Sequence, residues 1–443
     1  MKLIINNFPP ITQKCEIDLS KKLTLFVGKN NSGKTYISQL IWAIYNFEST
    51  QIDYYNDEKL KPFPFLAEEN KTIDITESFL NDIASNFLNF LVTKEINKVF
   101  TKEINVDIDL KFELEEIKQK SLKVELNVPD DWKLTLEKRK NSLKTHISLT
   151  KTSNSILPDS SVLNRYLESE IIKSLLVAKT TYMPSTRLFL PSFYKYIVSI
   201  EKEFKDDIFN NFDKLNNQNK SFFQSSYTEP VYALIKKLIF EIDKPIKDNE
   251  FLRKLTTLIE GNISIDKSEE LGMADISYTH KSGTKLPMHL SSSMVNQLAT
   301  VYLYFKYWYK KDESFLLLDE PEMNLHPVKK IEFTKILLDF ASNNKLLIAT
   351  HSSTLAKSII NYIHLFDLKE KSENIEQFIE ENNLKMDSSI DLTSNDIGIY
   401  YFNGQTITSY KADNNSNIHF GTFTEIEALQ KKQYDYIMDE LEE

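Results

Sequence analysis

The stretch LTLFVGKNNSGKT at residues 23–35 decides the fold of this 443-residue chain. An apolar strand pattern runs from Leu23 to Val27, a loop bounded by Gly28 and Gly33 follows, and residues 37–44 place apolar side chains at helical spacing. Glycines at both ends let the backbone wrap a polyphosphate, and the start of the following helix presents its positive end to the same anion. The sequence therefore predicts a phosphate-binding loop between a strand and a helix.

The side chains of this loop have expected roles in binding ATP and Mg²⁺. Lys34 would bridge the β- and γ-phosphates, and Thr35 would ligate the metal ion. A coincidental match is disfavoured, because the whole chain has only 8 glycines. The predicted nucleotide-binding residues of the loop are Gly28, Lys29, Asn30, Asn31, Ser32, Gly33, Lys34, Thr35 and Tyr36.

Composition limits the class of protein. A hydrophobic fraction of 41% is enough for a substantial core. The longest apolar stretches, such as residues 298–308, are interrupted by polar side chains and are too short for a membrane span, and the N-terminus lacks the layout of a secretory signal. We therefore expect a cytoplasmic protein with no membrane partner. The net charge of −10 disfavours a surface that coats DNA generally.

Two acidic residues follow a second apolar run. FLLL at residues 315–318 is typical of a parallel strand buried on both faces, and it ends in Asp319 and Glu320. Ligands of open α/β sheets lie beyond the carboxyl ends of the strands. Asp319 is therefore the predicted Mg²⁺ ligand, and Glu320 is predicted to polarise the attacking water. Alone, such a pair is more often a polar loop; the loop at Gly28 favours the catalytic interpretation.

A histidine ends the next apolar run. Residues 345–350 are mostly apolar and lead to His351, and the helical pattern between the two runs completes a strand–helix–strand unit. This topology predicts that His351 lies at the same sheet edge as Asp319, where it would contact the γ-phosphate. We expect His351, Glu320 and Lys34 to act together in catalysis. A structural histidine is the alternative.

A group of serines precedes the helical stretch at residues 295–308. Ser291, Ser292 and Ser293, here named the serine segment, lie within LSSSM at residues 290–294. Hydroxyls and free N–H groups at a helix start can bind an anion, although they are commonly caps and nothing more. Their position in the order of motifs makes all three candidates for nucleotide binding.

The order GKNNSGKT, LSSSM, FLLLDEPEMNLHP, LLIATHSS resembles the ABC-type ATPase fold, specifically its SMC-like and OLD-like bacterial branch within the AAA-family ATPases. The resemblance covers residues 1–47 and about 286–365. It implies the α/β class: an ABC-type P-loop ATPase head with a mixed or parallel sheet, helices on both faces, an antiparallel β-lobe and a helical arm or lid insertion. The family signature has glycines where this chain has Ser292 and Ser293.

The resemblance also implies how the site is assembled. In that fold two heads sandwich two nucleotides, and the partner subunit would supply the serine segment. The matching positions in the first subunit are Lys34, Thr35, Asp319, Glu320 and His351. The MPSTR stretch at residues 183–187 is similar to a Pro-x-x-Arg strand end of relatives, which implies that Arg187 reaches a phosphate or a neighbouring carboxylate. An arginine in a turn is the plain alternative.

The separation of Thr35 from Asp319 predicts a long insertion, and we expect four parts. Residues 1–187 are the N-terminal part of the head with its β-lobe, residues 188–261 a helical arm or lid, residues 262–370 the C-terminal part of the head, and residues 371–443 a hairpin and an acidic helix. Period-two alternation in residues 100–151 predicts antiparallel strands, and the hairpin of residues 397–410 is predicted to turn at Asn403 and Gly404.

Partners follow from the resemblance and from one basic segment. Heads without a nuclease domain resemble the ATPase subunits of antiphage systems such as Septu and PARIS, which implies a homodimer or higher oligomer and a separate nuclease or toxic effector. The alternative is an SMC-like ATPase that clamps DNA, and the energising subunit of a transporter is a third interpretation. Nucleic acid would bind a predicted hairpin tip whose basic residues are Lys133, Lys138, Arg139, Lys140, Lys144 and Lys151.

Overall fold

The structure is a computed structural model. It describes residues 1–46, 70–128, 132–151, 160–176, 178–194, 196–197, 227–242, 244–246, 249–267, 274–369, 390–410, 429 and 431–434. The chain forms two compact units. Unit one contains residues 1–20 and 39–180, and unit two contains residues 21–38 and 181–443.

The strands and helices are numbered in chain order. The strands are β1 (Lys2–Asn7), β2 (Cys15–Asp18), β3 (Leu23–Gly28), β4 (Asn70–Asp74), β5 (Asp107–Lys111), β6 (Leu122–Val128), β7 (Trp132–Lys138), β8 (Lys144–Lys151), β9 (Lys179–Met183), β10 (Gly261–Lys267), β11 (Ala274–His280), β12 (Lys285–Pro287), β13 (Ser314–Asp319), β14 (Lys345–Thr350), β15 (Ile397–Phe402) and β16 (Ile407–Tyr410). The α-helices are α1 (Lys34–Tyr45), α2 (Glu77–Phe90), α3 (Ile96–Val99), α4 (Leu114–Gln119), α5 (Ser160–Leu175), α6 (Phe189–Ser192), α7 (Glu229–Phe240), α8 (Glu250–Ile259), α9 (Ser293–Tyr307), α10 (Pro327–Asn343) and α11 (Ser353–Lys369).

A six-stranded sheet organises unit two, with the strand order β16-β15-β3-β14-β13-β9. Strands β15, β3, β14 and β13 run parallel. Every residue of β3, β13 and β15 is buried, as expected for strands covered on both faces. The predicted α/β class with a mixed, largely parallel sheet is confirmed. The three apolar runs predicted to be strands are confirmed as β3, β13 and β14.

The hairpin predicted at residues 397–410 is also confirmed, and its first strand joins the central sheet. β15 pairs antiparallel with β16 and parallel with β3, which places Phe402 beside Gly28. A Cβ atom on Gly28 would lie 2.2 Å from the carbonyl oxygen of Phe402. The first glycine of the loop is therefore required by the close approach of two strands, in addition to any role at a phosphate.

Unit one contains the predicted antiparallel strands. β2, β1 and β5 form one sheet, and β4, β8, β7 and β6 form another. β5 alternates exposed and buried side chains along its length, as its period-two pattern predicts. The basic hairpin is formed by β7 and β8, paired antiparallel from Trp132 to Lys138.

The basic hairpin tip differs from the sequence prediction at Lys138. This side chain is only 4% exposed, and its ammonium donates hydrogen bonds to the carbonyl oxygens of Lys120, Arg139 and Ser142. Burial lowers the pKa of Lys138. The placement of Lys138 on a nucleic-acid surface is therefore wrong, because the ammonium caps backbone carbonyls inside the turn. Lys133 is paired with Glu125 at 2.5 Å.

Helices and a small antiparallel sheet complete the described part of unit two. β10, β11 and β12 form that sheet, and α7 is a helix within residues 188–261, where the sequence predicts a helical arm or lid. The remaining part of the predicted arm, residues 198–226, lies outside the described residues, as does nearly all of the predicted acidic helix from about Thr424. Among the described residues, no helix combines the length and apolar character needed to cross a membrane.

Candidate functional site

The phosphate-binding loop lies between β3 and α1. Asn31 has a φ of 60° and Gly33 a φ of 98°, so the backbone turns through left-handed conformations before the helix begins at Lys34. The Lys34 ammonium donates to the carbonyl oxygens of Gly28 at 2.8 Å and Lys29 at 2.6 Å. Ser32 Oγ donates to the carbonyl oxygen of Lys29 at 2.7 Å. The Lys34 side chain is therefore folded back onto the carbonyl groups of its own loop, where its charge would neutralise a bound phosphate.

Lys34 follows β3 at the same sheet edge as the acidic end of β13, because β3, β14 and β13 are parallel neighbours. Its side chain is 7% exposed, and burial lowers its pKa. The charges of Glu320, Asp319 and Glu322 oppose this shift. The structure thus brings the loop lysine and the acidic residues of the second motif to one edge of the sheet. Thr35 and Tyr36 are exposed at the start of α1, and Asn30 and Asn31 are exposed in the loop.

Asp319 is a buried carboxylate at the end of β13. Tyr182 donates its hydroxyl hydrogen to Oδ2 at 2.7 Å, whereas Oδ1 is buried with no hydrogen-bond partner among the described residues. Burial raises the pKa of Asp319 to about 6, against the opposing effects of Tyr182, Thr35 and the Arg187 charge. An unpaired carboxylate oxygen beside a threonine hydroxyl fits a hard cation such as Mg²⁺. Asp319 and Thr35 would hold it, and the ion would neutralise phosphate charge.

Glu320 and His351 form the partly exposed pair of the site. Nδ1 of His351 lies 3.2 Å from Oε1 of Glu320, and their side chains are 43% and 23% exposed, respectively. The Glu320 N–H donates to the carbonyl oxygen of Ala349 at 2.8 Å, which ties the end of β13 to β14. A carboxylate that water can reach and a histidine can orient is suited to activating a water molecule.

Arg187 does not lie where a phosphate would contact it. The side chain is 0% exposed, and burial lowers its pKa to about 10. Nη1 donates to the carbonyl oxygens of Pro184 at 2.9 Å and Asp319 at 2.6 Å, and Nη2 donates to the carbonyl oxygen of Glu320 at 3.2 Å. The assignment of Arg187 to nucleotide binding is therefore corrected: the guanidinium holds the backbone that carries the two acids.

Arg187→Met should destabilise the protein, because it removes donors from buried carbonyl groups at the end of β13. An unsatisfied buried acceptor costs about 1–3 kcal/mol, so the midpoint of urea unfolding followed by circular dichroism should fall. Arg253→Met is the matched control, because Arg253 is exposed on α8, and we expect a change within about 0.5 kcal/mol. Equal midpoints for the two variants would contradict the assignment.

Sequence reasoning missed three further residues of this site. Tyr182 on β9 reaches Asp319 across 137 positions of the chain. Glu322 is 3% exposed and accepts from the Thr350 hydroxyl at 2.5 Å, and burial raises its pKa. Gln297 on α9 donates to the carbonyl oxygen of Glu320 at 3.3 Å. Only Glu322 has a local clue, since it continues the acidic run DEPE.

The serine segment lies at the start of α9. Ser292 is the N-cap, and its hydroxyl accepts from the Val295 N–H at 3.2 Å. Ser291 Oγ donates to the carbonyl oxygen of Met288 at 2.7 Å. Ser292 and Ser293 are exposed, and the neighbouring Leu290 is 64% exposed. The structure thus shows the capping role for Ser292 and leaves an accessible helix start; nucleotide binding by the segment stays a prediction.

The site can be compared with known proteins. A protein-family profile described as AAA ATPase domain matches residues 1–356. No curated protein matches the chain. Among solved structures, similarity is found to the SMC head domain from Thermotoga maritima, which is 13% identical with a TM-score of 0.31 and covers 92% of this chain and 98% of that chain.

Two further solved structures match this chain with a similar sequence identity. An SMC head bound to the C-terminal winged-helix domain of ScpA is 12% identical with a TM-score of 0.36, covering 93% of this chain and 97% of that chain. An Smc head domain with an extended coiled coil, bound to the C-terminal domain of ScpA and derived from Pyrococcus furiosus, is 11% identical with a TM-score of 0.34, covering 98% of both chains. The family profile covers most of the 443 residues and includes the loop, both acids and His351, so the chain belongs to the family of AAA ATPase domains.

Proposed function

We propose that this protein is a nucleotide-dependent dimer switch, in which two heads close on two molecules of Mg²⁺-ATP and hydrolysis reopens them. One observation carries the proposal. Lys34, Asp319, Glu320 and His351 belong to one sheet edge. The serine segment is exposed at Ser292 and Ser293, and its described side-chain hydrogen bonds stay within residues 288–296. Each subunit would thus offer most of a site and an accessible helix start for the site of a second copy.

The chemistry of hydrolysis is divided among a few side chains. Lys34 would bind the β- and γ-phosphates, while Thr35 and Asp319 would hold the metal ion. Glu320 accepts a proton from the attacking water, and His351 orients the Glu320 carboxylate and contacts the γ-phosphate. The contacts to the γ-phosphate disappear when it leaves, so hydrolysis is coupled to the geometry of the dimer.

A dimer test uses the exposed position Ser293. Ser293→Glu places a negative charge where a partner's phosphates would lie, so ATP should still bind but no longer drive dimerisation. Light scattering after gel filtration should show an ATP-dependent doubling of mass for the wild type but not for Ser293→Glu. Ser282→Glu, at an exposed serine in the turn between β11 and β12, is the control and should dimerise normally. An ATP-dependent dimer of Ser293→Glu would refute the role of this serine.

We propose further that the switch controls a separate effector in antiphage defence. The support is the resemblance of the motif order to the ATPase subunits of systems such as Septu and PARIS, together with the head architecture. A nuclease or another toxic protein would be restrained or released as the heads open and close. Affinity purification of the tagged chain from its native host should recover one co-purifying polypeptide in a fixed ratio. Recovery of the chain alone, before and after phage infection, would count against an effector.

DNA clamping is the alternative use of the same head. Exposed Arg139, Lys140 and Lys144 still mark the hairpin tip, but Lys138 is buried there and Lys133 is paired with Glu125. A clamp requires duplex binding that strengthens with ATP and weakens with salt. Replacing Arg139 and Lys140 with alanine should then lower the affinity for a duplex. Unchanged affinity in that double variant would remove the tip from the binding surface.

A further inference from the structure

Gln297 lies on α9 one helical turn after the serine segment. Its side chain is 0% exposed. Ser293 and Gln297 are separated by four positions, so they lie on one face of the helix, about 6 Å apart along its axis. One end of this helix face is accessible to a second copy of the chain, and the other end is in contact with the backbone of the site.

The contact is made at the carbonyl oxygen of Glu320. Gln297 Nε2 donates to this oxygen at 3.3 Å, Arg187 Nη2 donates at 3.2 Å, and the Met323 N–H donates at 3.3 Å. A carbonyl oxygen has two lone pairs, so three donors share them and each bond is long. Small movements of α9 can therefore change which donors hold the oxygen without leaving it unsatisfied.

Two unused hydrogen-bonding groups lie beside this oxygen. Gln297 Oε1 is a buried acceptor and Arg187 Nε a buried donor, and neither has a hydrogen-bond partner among the described residues. A buried polar group without a partner is unfavourable. The two groups are complementary, and their side chains already bond to the same carbonyl. A rearrangement in which Arg187 Nε donates to Gln297 Oε1 would pair both groups and would break one hydrogen bond to the Glu320 carbonyl. The same residues would then have a second hydrogen-bonding arrangement.

The backbone of Glu320 has an unfavourable conformation at the residue where these donors meet. Its φ of 48° lies in the left-handed region, which is unfavourable for a residue with a Cβ atom. Its carboxylate lies 3.2 Å from His351. The Glu320 carbonyl and carboxylate are carried by one Cα atom, so a shift of the whole residue that moves the carbonyl oxygen relative to its donors also moves the carboxylate that activates water.

We infer that Gln297 is a positioning residue. When the serine segment of a chain docks on a second copy, Gln297 of that chain transmits the docking to the Glu320 carboxylate of the same chain. Hydrolysis then accelerates in a head only when its own α9 is engaged by a partner. The inference rests on the proposed function and adds to it the regulation of the catalytic base. Contact of Gln297 with the nucleotide is not part of it, since the side chain is buried against the protein.

The test compares Gln297→Met with Thr300→Val. Methionine keeps the length of the side chain but removes both the donor and the acceptor. Thr300 lies further along the same helix, is 0% exposed and also carries a buried hydroxyl for which the described part of the chain offers no partner, so valine controls for disturbance of α9. ATP turnover per chain is measured against protein concentration, alongside KM and ATP-dependent dimerisation.

Wild type and Thr300→Val should show turnover per chain that rises as dimers form. Gln297→Met should dimerise with the same KM, but its maximal turnover should be about 10- to 100-fold lower, as for a misplaced catalytic group. The inference would be overturned if turnover per chain of Gln297→Met followed the wild-type dependence on protein concentration. It would also be overturned if the variant raised KM and lost dimerisation in parallel. Wild-type turnover that does not depend on concentration would instead overturn the proposed function itself.

Discussion

Lys34→Ala is expected to abolish ATP binding. The Lys34 ammonium lies inside the loop, 2.8 Å from the carbonyl oxygen of Gly28, where it would meet the β- and γ-phosphates. A hydrogen bond to a charged group contributes about 1.5–3 kcal/mol, so the loss of two should raise the Kd by at least about 100-fold. Isothermal titration calorimetry with ATP and Mg²⁺ measures this change.

The control for this prediction must separate lost charge from a collapsed loop. Lys34 also donates to the carbonyl oxygens of Gly28 and Lys29, so alanine could disturb the loop itself. Lys34→Arg keeps the charge in a larger group and should bind more tightly than alanine but less tightly than lysine. Thermal unfolding curves of the apo proteins should stay close together. Alanine binding within about threefold of wild type would remove Lys34 from the phosphate site.

Glu320→Gln is expected to keep ATP binding and to stop turnover. The amide has nearly the size of the carboxylate but cannot accept the proton of the attacking water, and general-base catalysis contributes about 10²–10⁴-fold. Because the γ-phosphate then stays in place, the closed dimer should accumulate. Phosphate release measures the loss of kcat, and light scattering after gel filtration measures the dimer.

A surface glutamate supplies the matched control for this variant. Glu313 is exposed just before β13, and Glu313→Gln removes the same charge without touching the site, so its turnover should equal that of the wild type. Equal turnover in Glu320→Gln and wild type would remove the assigned base. A slow Glu320→Gln that stays monomeric with ATP would keep the base but contradict the link between the γ-phosphate and closure.

The strands that carry the site could be predicted from sequence because they are buried on both faces. Such strands are continuous apolar runs, and FLLL at residues 315–318 is readable without a partner strand. Parallel topology then places the residues after each run at a common edge. This reasoning predicted that Asp319, Glu320 and His351 lie together with Lys34, and the structure brings these four to one sheet edge.

Residues that act through distant partners could not be predicted in this way. Tyr182 and Asp319 lie 137 positions apart, and Gln297 and Glu320 lie 23 positions apart. Nothing in the local pattern of Tyr182 or Gln297 separates it from an ordinary core residue. The motif at Arg187 implies contact with a phosphate or a neighbouring carboxylate, whereas its burial against the β13 backbone depends on how β9 is placed in the sheet. The basic pattern of the hairpin tip favours an exposed Lys138. The sequence does not show that the turn folds back so that the Lys138 ammonium donates to the carbonyl oxygen of Ser142.

Complementation between two inactive variants tests the shared site most directly. Lys34→Ala lacks the phosphate-binding lysine, and Ser293→Glu lacks a working serine segment, so neither preparation should hydrolyse ATP alone. If each nucleotide is held by the loop of one copy and the serines of another, a mixed dimer contains one intact site. The mixture should therefore regain phosphate release above that of either variant alone. The rate should stay below that of wild-type dimers, because the copy that supplies Glu320 to the intact site carries Ser293→Glu and its own α9 is not engaged. Ser293→Glu with wild-type turnover alone, or mixed dimers that remain inactive, would contradict a site shared between two copies.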